Sequence, residues 1–410
     1  MERIYLDHAA TTSTLPVAMD AVMEQMRVGG NPSSLHSAGR RARATVEAAR
    51  EDIARLAHCD SAEVIFTSGG TEADNLAVKG LFWKRQASNP RARKILVSSV
   101  EHHAVSEAVE WLEKNEDAVA IWLSVDATGR VDPDTVRAEI AQDPEAVALV
   151  TVMWANNEVG TIQPVAEIAA IASEYGVPMH TDAVQAFGTV PVDFRASDAT
   201  TMAISGHKIG APMGVGALIA TRAAALEPVL HGGGQERSVR SGTIDAASIA
   251  GFAAAARAAG ENLHEEANRL ATLRNRLIEG VQELVPDATL RGATPETADE
   301  MTAGVWRRLP GNAHFTFAGC EGDSLLFLLD MAGIESSTGS ACNAGVPRPS
   351  HVLLAMGLDE VTARGAQRFT LGHSSTDADV DGLLAALPAA FAQAQKAGLA
   401  AHTPDASLWH

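Results

Sequence analysis

Lysine is scarce in this chain, and one lysine stands apart from the rest. Lys79, Lys84, Lys94, Lys114 and Lys396 sit in charged or helical surface contexts. Lys208 lies instead in Ser205-Gly206-His207-Lys208-Ile209-Gly210-Ala211-Pro212, a small-residue turn after the strand-like Thr201 to Ile204. A desolvated amine at the carboxyl end of a strand has a lowered pKa and forms a Schiff base with a carbonyl; an ordinary loop lysine is the competing reading. A second turn, Thr67-Ser68-Gly69-Gly70-Thr71-Glu72, follows the run Val64-Ile65-Phe66 and opens a helix. Glycines such as Gly70 let backbone N–H groups approach an anion, the helix terminus adds its dipole, and Thr71 adds a hydroxyl for a phosphate. The turn matches neither G-x-x-x-x-G-K-[ST] nor G-x-G-x-x-G, which weakens a nucleotide-binding reading, and a plain helix cap competes.

Three more groups have side chains able to do chemistry. In His180-Thr181-Asp182-Ala183-Val184-Gln185, Asp182 can pair with a cationic ring nitrogen, with Gln185 one turn on as a second contact. Buried without a cation such an aspartate would be costly, so a capping role is the alternative. His102 and His103 follow the strand-like Ile95 to Val97; a flat imidazole stacks on a planar group and moves protons near neutral pH. Adjacent histidines point in different directions and make a poor metal pair, and His103 reads as a surface residue. Cys342 lies within Ser336 to Pro347, where small residues, two glycines and a proline predict a loop with an exposed thiol. Such a thiol near cationic groups ionises and attacks readily. Cys59 and Cys320 read as packing cysteines.

The elements that must position these residues alternate along the chain. Ala42, Val46, Ala49, Ile53 and Leu56 recur at helical spacing, and Arg40, Arg41, Arg43, Arg50 and Arg55 on the same helix read as a solvated face. Buried strands are predicted at 64–66, 95–97, 119–123, 148–152, 177–180 and 201–204. Intervening helical segments predict a mostly parallel sheet covered on both faces, whose ligands gather at the strands' carboxyl ends. A long helix over 261–285 leads to an α+β region with strands at 313–317 and 367–371, a helix near 322–332, and a last helix opened by Thr376 with Asp379. The tail, 397–410, lacks periodicity.

Composition limits the partners. The 410 residues are 46% hydrophobic and 20% charged, with 34 glycines and 17 prolines, so a folded chain is expected. The longest apolar run, Ala146 to Ala155, is too short for a membrane helix, and Met1-Glu2-Arg3 leads into strand-like residues rather than a secretory signal. Lys and Arg total 32 against 51 Asp and Glu, and a net charge of −19 argues against primary nucleic-acid binding. Three scattered cysteines suit neither a disulfide framework nor a zinc site, and a cytoplasmic location is expected.

In order along the chain stand Tyr5-Leu6-Asp7-His8-Ala9-Ala10-Thr11-Thr12, Gly30-Asn31-Pro32-Ser33-Ser34, Ser68-Gly69-Gly70-Thr71-Glu72, Glu101-His102-His103, Asn156-Asn157-Glu158-Val159-Gly160, Ser205-Gly206-His207-Lys208, the run His231 to Arg237, Arg240-Ser241-Gly242-Thr243 and Gly339-Ser340-Ala341-Cys342. Together they resemble the cysteine desulfurases, pyridoxal-phosphate (PLP) enzymes of fold type I in the class-V aminotransferase family. The resemblance implies a large domain over 15–260 with a mostly parallel seven-stranded sheet flanked by helices. It also implies a smaller α+β domain from 1–14 and 261–396, with 397–410 as a tail. Carried over by position, Lys208 would hold the cofactor covalently and Asp182 would pair with its ring nitrogen. Gln185 and Asn157 would flank its hydroxyl, and His102 would stack on its ring. Gly70, Thr71, Ser205 and His207 would bind the phosphate, with Thr243 reaching over from a second subunit. Asn31 and Arg368 would hold the substrate carboxylate, which fits an alternation that sets Arg368 and Thr370 opposite Phe369 and Leu371.

The implied reaction converts L-cysteine to L-alanine, leaves a persulfide on Cys342, and passes the sulfur to an acceptor in iron–sulfur cluster assembly or tRNA thiolation. A homodimer is implied through Thr243. The chain departs from many relatives at His373, where they carry an arginine. A plain aminotransferase or a selenocysteine lyase would also use Lys208, but an aminotransferase has no task for Cys342. A scaffold without chemistry would not need Lys208, Asp182, His102 and Cys342 together.

Overall fold

The computed structural model describes residues 3–339 and 349–396, so the loop thiol expected at Cys342 and the tail 397–410 lie outside the described residues. Along the chain run β1 (Ile4–Tyr5), β2 (Val64–Thr67), β3 (Lys94–Ser98), β4 (Val119–Leu123), β5 (Val147–Thr151), β6 (Met179–Asp182), β7 (Thr201–Ser205), β8 (Gly216–Ala220), β9 (Ala288–Arg291), β10 (Asn312–Phe317), β11 (Ile334–Glu335) and β12 (Ala366–Thr370). Strands β2 to β8 form one sheet in the order β2-β8-β7-β6-β5-β3-β4. Strand β8 is antiparallel to both its neighbours, and the other six strands share one direction. Six carboxyl ends therefore open on a single edge, and the strand order reverses between β3 and β5, where α/β sheets hold their ligands.

Alternation along the strands explains why both faces are covered. Met202 and Ile204 of β7, with Ala217 and Ile219 of β8, pack into a core shared with Val46, Ile53 and Phe252 of the helices Ser37–Ala57 and Ala246–Glu261. Their neighbours Ala203 and Leu218 face the other side, against Ala73, Leu76 and Ala77 of the helix Gly70–Ser88. A second unit joins antiparallel β12-β10-β9 to a parallel β1–β11 pair. Its core is Phe315, Phe317 and Phe369 against Leu277, Leu325 and Leu383. Among the described residues no helix is long and apolar enough to cross a membrane.

The structure departs from the sequence reading at several places. The run expected at 177–180 starts its strand at Met179, because Pro178 has no N–H to give a ladder, and β6 extends through Asp182. Strand β4 has the expected bounds but is the sheet edge, with Val119 and Trp122 exposed. Strand β8, inserted antiparallel, was not legible in the pattern. The helix arginines are not one solvated face: Arg50 is buried and gives Glu236 two hydrogen bonds, at 2.8 and 2.9 Å. Glu236, 1% exposed, also accepts the Phe66 N–H at 3.1 Å and so ties the loop after His231 to β2.

Removing the cation from this pair strands a buried carboxylate. Arg50→Met should lower the urea unfolding free energy by roughly 3 kcal/mol, and adding Glu236→Gln should recover part of the loss. A loss below about 1 kcal/mol for the single variant would contradict the assignment.

Candidate active site

Five strand ends converge on one crevice. The turn Ser68–Gly70 follows β2, His102 lies beyond β3, Asn156 and Asn157 lie beyond β5, Asp182 ends β6, and Ser205 to Lys208 leave β7. The turn after β2 depends on its glycines. Gly69 has φ +149°, and a Cβ on Gly70 would stand 2.7 Å from Val184 Cγ2. A Cβ on Gly216 of β8 would stand 2.8 Å from the Gly69 Cα. The backbone of this turn thus lies directly against β8 and Val184, with Gly70 at the first position of its helix. Glu72 accepts the Ser68 N–H at 2.7 Å and pairs with Arg240, which fixes the turn from outside.

Asp182 is a buried carboxylate with no lysine or arginine in ion-pair contact among the described residues. The Val184 N–H donates to it at 2.8 Å. Burial is the largest cause that raises its pKa, to about 7. Lys208 moves the other way. Burial, reinforced by Arg368, lowers its amine to about 8, against the pull of Asp182 and Asp7. Its Nζ donates to the carbonyls of Ala9 at 2.5 Å and Ala10 at 2.8 Å.

His102 caps the helix His103–Glu116. Its Nδ1 accepts the Ala104 N–H at 3.1 Å, so in the neutral ring the proton sits on Nε2. Burial, with the Lys208 charge next, holds its pKa at about 4. His207 is lowered to about 4 for the same two reasons, and its Nδ1 lies 3.2 Å from Thr11 Oγ1.

Arg368 comes to the crevice from β12 of the second unit. It donates to the Asn157 carbonyl at 2.7 Å and to Asp7 Oδ1 at 2.8 Å, while its Nε has no partner among the described residues. The alternation holds, since Phe369 and Leu371 pack in the core of that unit. Gln185 donates to the Ala9 carbonyl at 3.0 Å.

Lys208, Asp182, Gln185, His102, His207, Ser205, Gly70, Asn157 and Arg368 therefore gather around one crevice, with Thr71 at the first turn of the helix beyond Gly70. Asn31 and Thr243 are not joined to them by any hydrogen bond or ion pair among the described residues. Asn31 is exposed and accepts the Ser33 N–H at 2.9 Å, and Thr243 is exposed on the loop after Arg240. The structure also brings in residues for which the sequence reading offered no chemistry. The segment Asp7 to Thr12 lies over the crevice: Asp7 holds Arg368, the Ala9 carbonyl receives both Lys208 and Gln185, and Thr11 meets His207. Its motif was visible, but contacts made by carbonyl oxygens leave no side-chain pattern.

Both flanks of the segment bearing Cys342 are tied to this crevice. Ser337 and Arg368 exchange backbone hydrogen bonds, of 3.2 and 2.6 Å. On the other side Ser350 Oγ donates to the buried Glu158 at 2.5 Å, and His351 Nε2 lies 2.9 Å from the Glu101 carbonyl. Burial pushes the thiols of Cys59 and Cys320 each up to about 12. His373 lies 3.1 Å from the Ser13 carbonyl at the rim.

Residues 4–383 match the class-V aminotransferase family. The chain is 54% identical over 397 residues to the IscS-like cysteine desulfurase of Mycobacterium tuberculosis, covering 97% of this chain and 98% of that protein. It is 39% identical over 388 residues to the cysteine desulfurase IscS of Clostridium botulinum (strain Kyoto / Type A2), covering 94% of each. A solved NifS-like protein from Rickettsia africae superposes with a TM-score of 0.83 at 31% identity, covering 95% of this chain and 100% of that one. A structure described as SspA in complex with cysteine superposes at 0.74 with 30% identity, over 90% and 98% of the two chains. Members of this family are PLP enzymes. With its seven-stranded sheet and its match over nearly the whole length, this chain belongs to the class-V aminotransferase family, among its PLP-dependent cysteine desulfurases.

Proposed function

We propose that the chain takes sulfur from L-cysteine onto Cys342, releases L-alanine, and hands the sulfur to a protein acceptor, with the residues gathered around Lys208 doing the work. The observation that carries this reading is the opposed pair at the sheet edge: a lysine amine lowered to about 8 and a buried carboxylate raised to about 7, with no lysine or arginine in ion-pair contact with it among the described residues. That donor set fits PLP. The amine suits its carbonyl, the carboxylate suits its protonated ring nitrogen, and the Gly69–Gly70 turn offers backbone N–H groups at a helix start for its phosphate.

When bound, the cofactor supplies an electron sink conjugated to the Cα of the amino acid. Lys208, its amine lowered to about 8, would be a base of suitable strength to take the Cα proton. His102 is neutral at physiological pH and offers its flat face, its tautomer fixed by the cap. Arg368 would receive the substrate carboxylate, with Asp7 as the ligand that the carboxylate displaces, and Asn31 would add a further hydrogen bond. Gly70, Thr71, Ser205 and His207 would surround the phosphate, and Gln185 and Asn157 would lie beside the ring hydroxyl. The Cys342 thiolate attacks the sulfur of the bound cysteine, an S–S bond forms as the Cβ–S bond breaks, and the three-carbon skeleton leaves as alanine. Cysteine and a protein thiol thus give alanine and a protein persulfide with no other reactant.

The same reading takes 15–260 as the cofactor domain and 1–14 with 261–396 as the smaller one. It makes the enzyme a cytoplasmic homodimer whose exposed Thr243 completes the phosphate site of the second copy. The acceptor on this reading belongs to iron–sulfur cluster assembly, to tRNA thiolation or to both.

Cys342→Ala should keep the visible cofactor band yet form neither sulfide nor persulfide from cysteine with a thiol reductant present. Sulfide release at the wild-type rate would contradict the nucleophile assignment. The cofactor-free protein should also show the mark of Asp182. A carboxyl whose folded pKa is raised binds more protons folded than unfolded, so stability falls as pH climbs from about 4 to about 7. Asp182→Asn should flatten that decline in the thermal midpoint; an unchanged slope would show that Asp182 is not the titrating group.

A further inference from the structure

Behind Asp182 lies a group of buried polar residues that the proposed reaction does not use. His180 and Asp182 stand two apart on β6 and share a face. His180 is fully buried, its Nε2 3.2 Å from Asp74 Oδ1 and its Nδ1 3.0 Å from Thr201 Oγ1 on β7. Asp74, 1% exposed, comes from the helix that starts at the Gly69–Gly70 turn. A third carboxyl, Glu101, approaches from the end of β3 and accepts the Met153 N–H at 2.5 Å, while its Oε2 has no partner among the described residues. Three carboxyls are thus buried together, with Lys208 across the crevice.

We propose that Asp74 and His180 form a neutral hydrogen-bonded pair, with the Asp74 carboxylic acid donating to His180 Nε2 and the His180 Nδ1–H donating to Thr201, so that Asp182 holds the one buried charge offered to the cofactor ring. The inference rests on the reading of Asp182 as the partner of the ring nitrogen.

Two features favour the neutral form over an ion pair. An ionised carboxylate in an apolar interior needs two or three donors, whereas His180 is the sole side-chain partner of Asp74 among the described residues. A protonated acid needs one acceptor, and Nε2 is that acceptor. A cationic His180 on the same strand face would compete with the ring nitrogen for Asp182, and an anionic Asp74 would repel it. Burial acts in the same direction, pushing the Asp74 carboxyl well up and His180 down to about 4. Asp74 and His180 are therefore positioning residues, acting through Asp182. The groups facing Asp182 are Asp74, Glu101, His180 and Lys208, and only Lys208 is a base whose charge changes in the neutral range.

The test needs no turnover. The cofactor-free protein at pH 8 should show a carboxylic-acid carbonyl band in the infrared that shifts in D2O and is lost in Asp74→Asn. Absence of any change between wild type and Asp74→Asn overturns the proposal. In a titration with PLP, Asp74→Asn, which can still donate to Nε2, should keep the wild-type dissociation constant within about 3-fold. Asp74→Ala should weaken it by roughly 10-fold. Asn weakened as much as Ala would mean that Asp74 works as a charged carboxylate, against the proposal. Wild-type protein that takes up no PLP would instead contradict the cofactor reading, while the infrared comparison still decides the state of Asp74.

Discussion

A buried carboxylate with no cation in contact among the described residues is the constraint around which this molecule is arranged. Asp182 ends β6 inside the sheet edge, where an isolated charge costs several kcal/mol. Among the described residues the one hydrogen bond its carboxylate accepts comes from the Val184 N–H. A protein retains such a group when something else supplies the missing charge, and on the proposed reading the protonated pyridine of the cofactor would do so. The same burial that raises Asp182 lowers Lys208, so one environment prepares both an acceptor for a ring cation and an amine free to react.

The fold makes this environment from ordinary parts. A parallel sheet covered on both faces brings the ends of β2, β3, β5, β6 and β7 to one edge, so residues from five separate stretches of chain become neighbours. The second unit closes the crevice from the other side through Arg368 on β12. Its guanidinium is occupied by Asp7 and the Asn157 carbonyl, which keeps a buried cation satisfied, and on the proposed reading the substrate carboxylate would replace Asp7. The segment from Asp7 to Thr12 links the units, since Asp7 bridges to Thr370 on β12 while the Ala9 carbonyl accepts Lys208 Nζ beyond β7.

Much of this was legible in the residues because the signals were local. Short apolar runs ending in glycines, histidines or aspartate marked the strand ends, and the scarcity of lysine drew attention to Lys208. Motif order supplied the family. What could not be read depends on distant contacts. Arg50 has the sequence context of a surface arginine, and its partner Glu236 is 186 residues away. Strand β8 carries the same small apolar residues as a buried parallel strand and differs only in direction. Asp7 is a neighbour of Arg368 across 361 residues, and the carbonyls that hold Lys208 have no sequence signature. Asn31 and Thr243 were named by resemblance, and neither is tied to the crevice by a hydrogen bond or ion pair among the described residues.

The central claim is that Lys208 carries PLP covalently at the end of β7. Borohydride reduction of the cofactor-loaded protein, followed by proteolysis and mass mapping, tests it directly. The account predicts one reduced pyridoxyl phosphate adduct on the peptide containing Lys208, with none on the other five lysines. An adduct on another lysine, or none at all on protein that has taken up the cofactor, would contradict it.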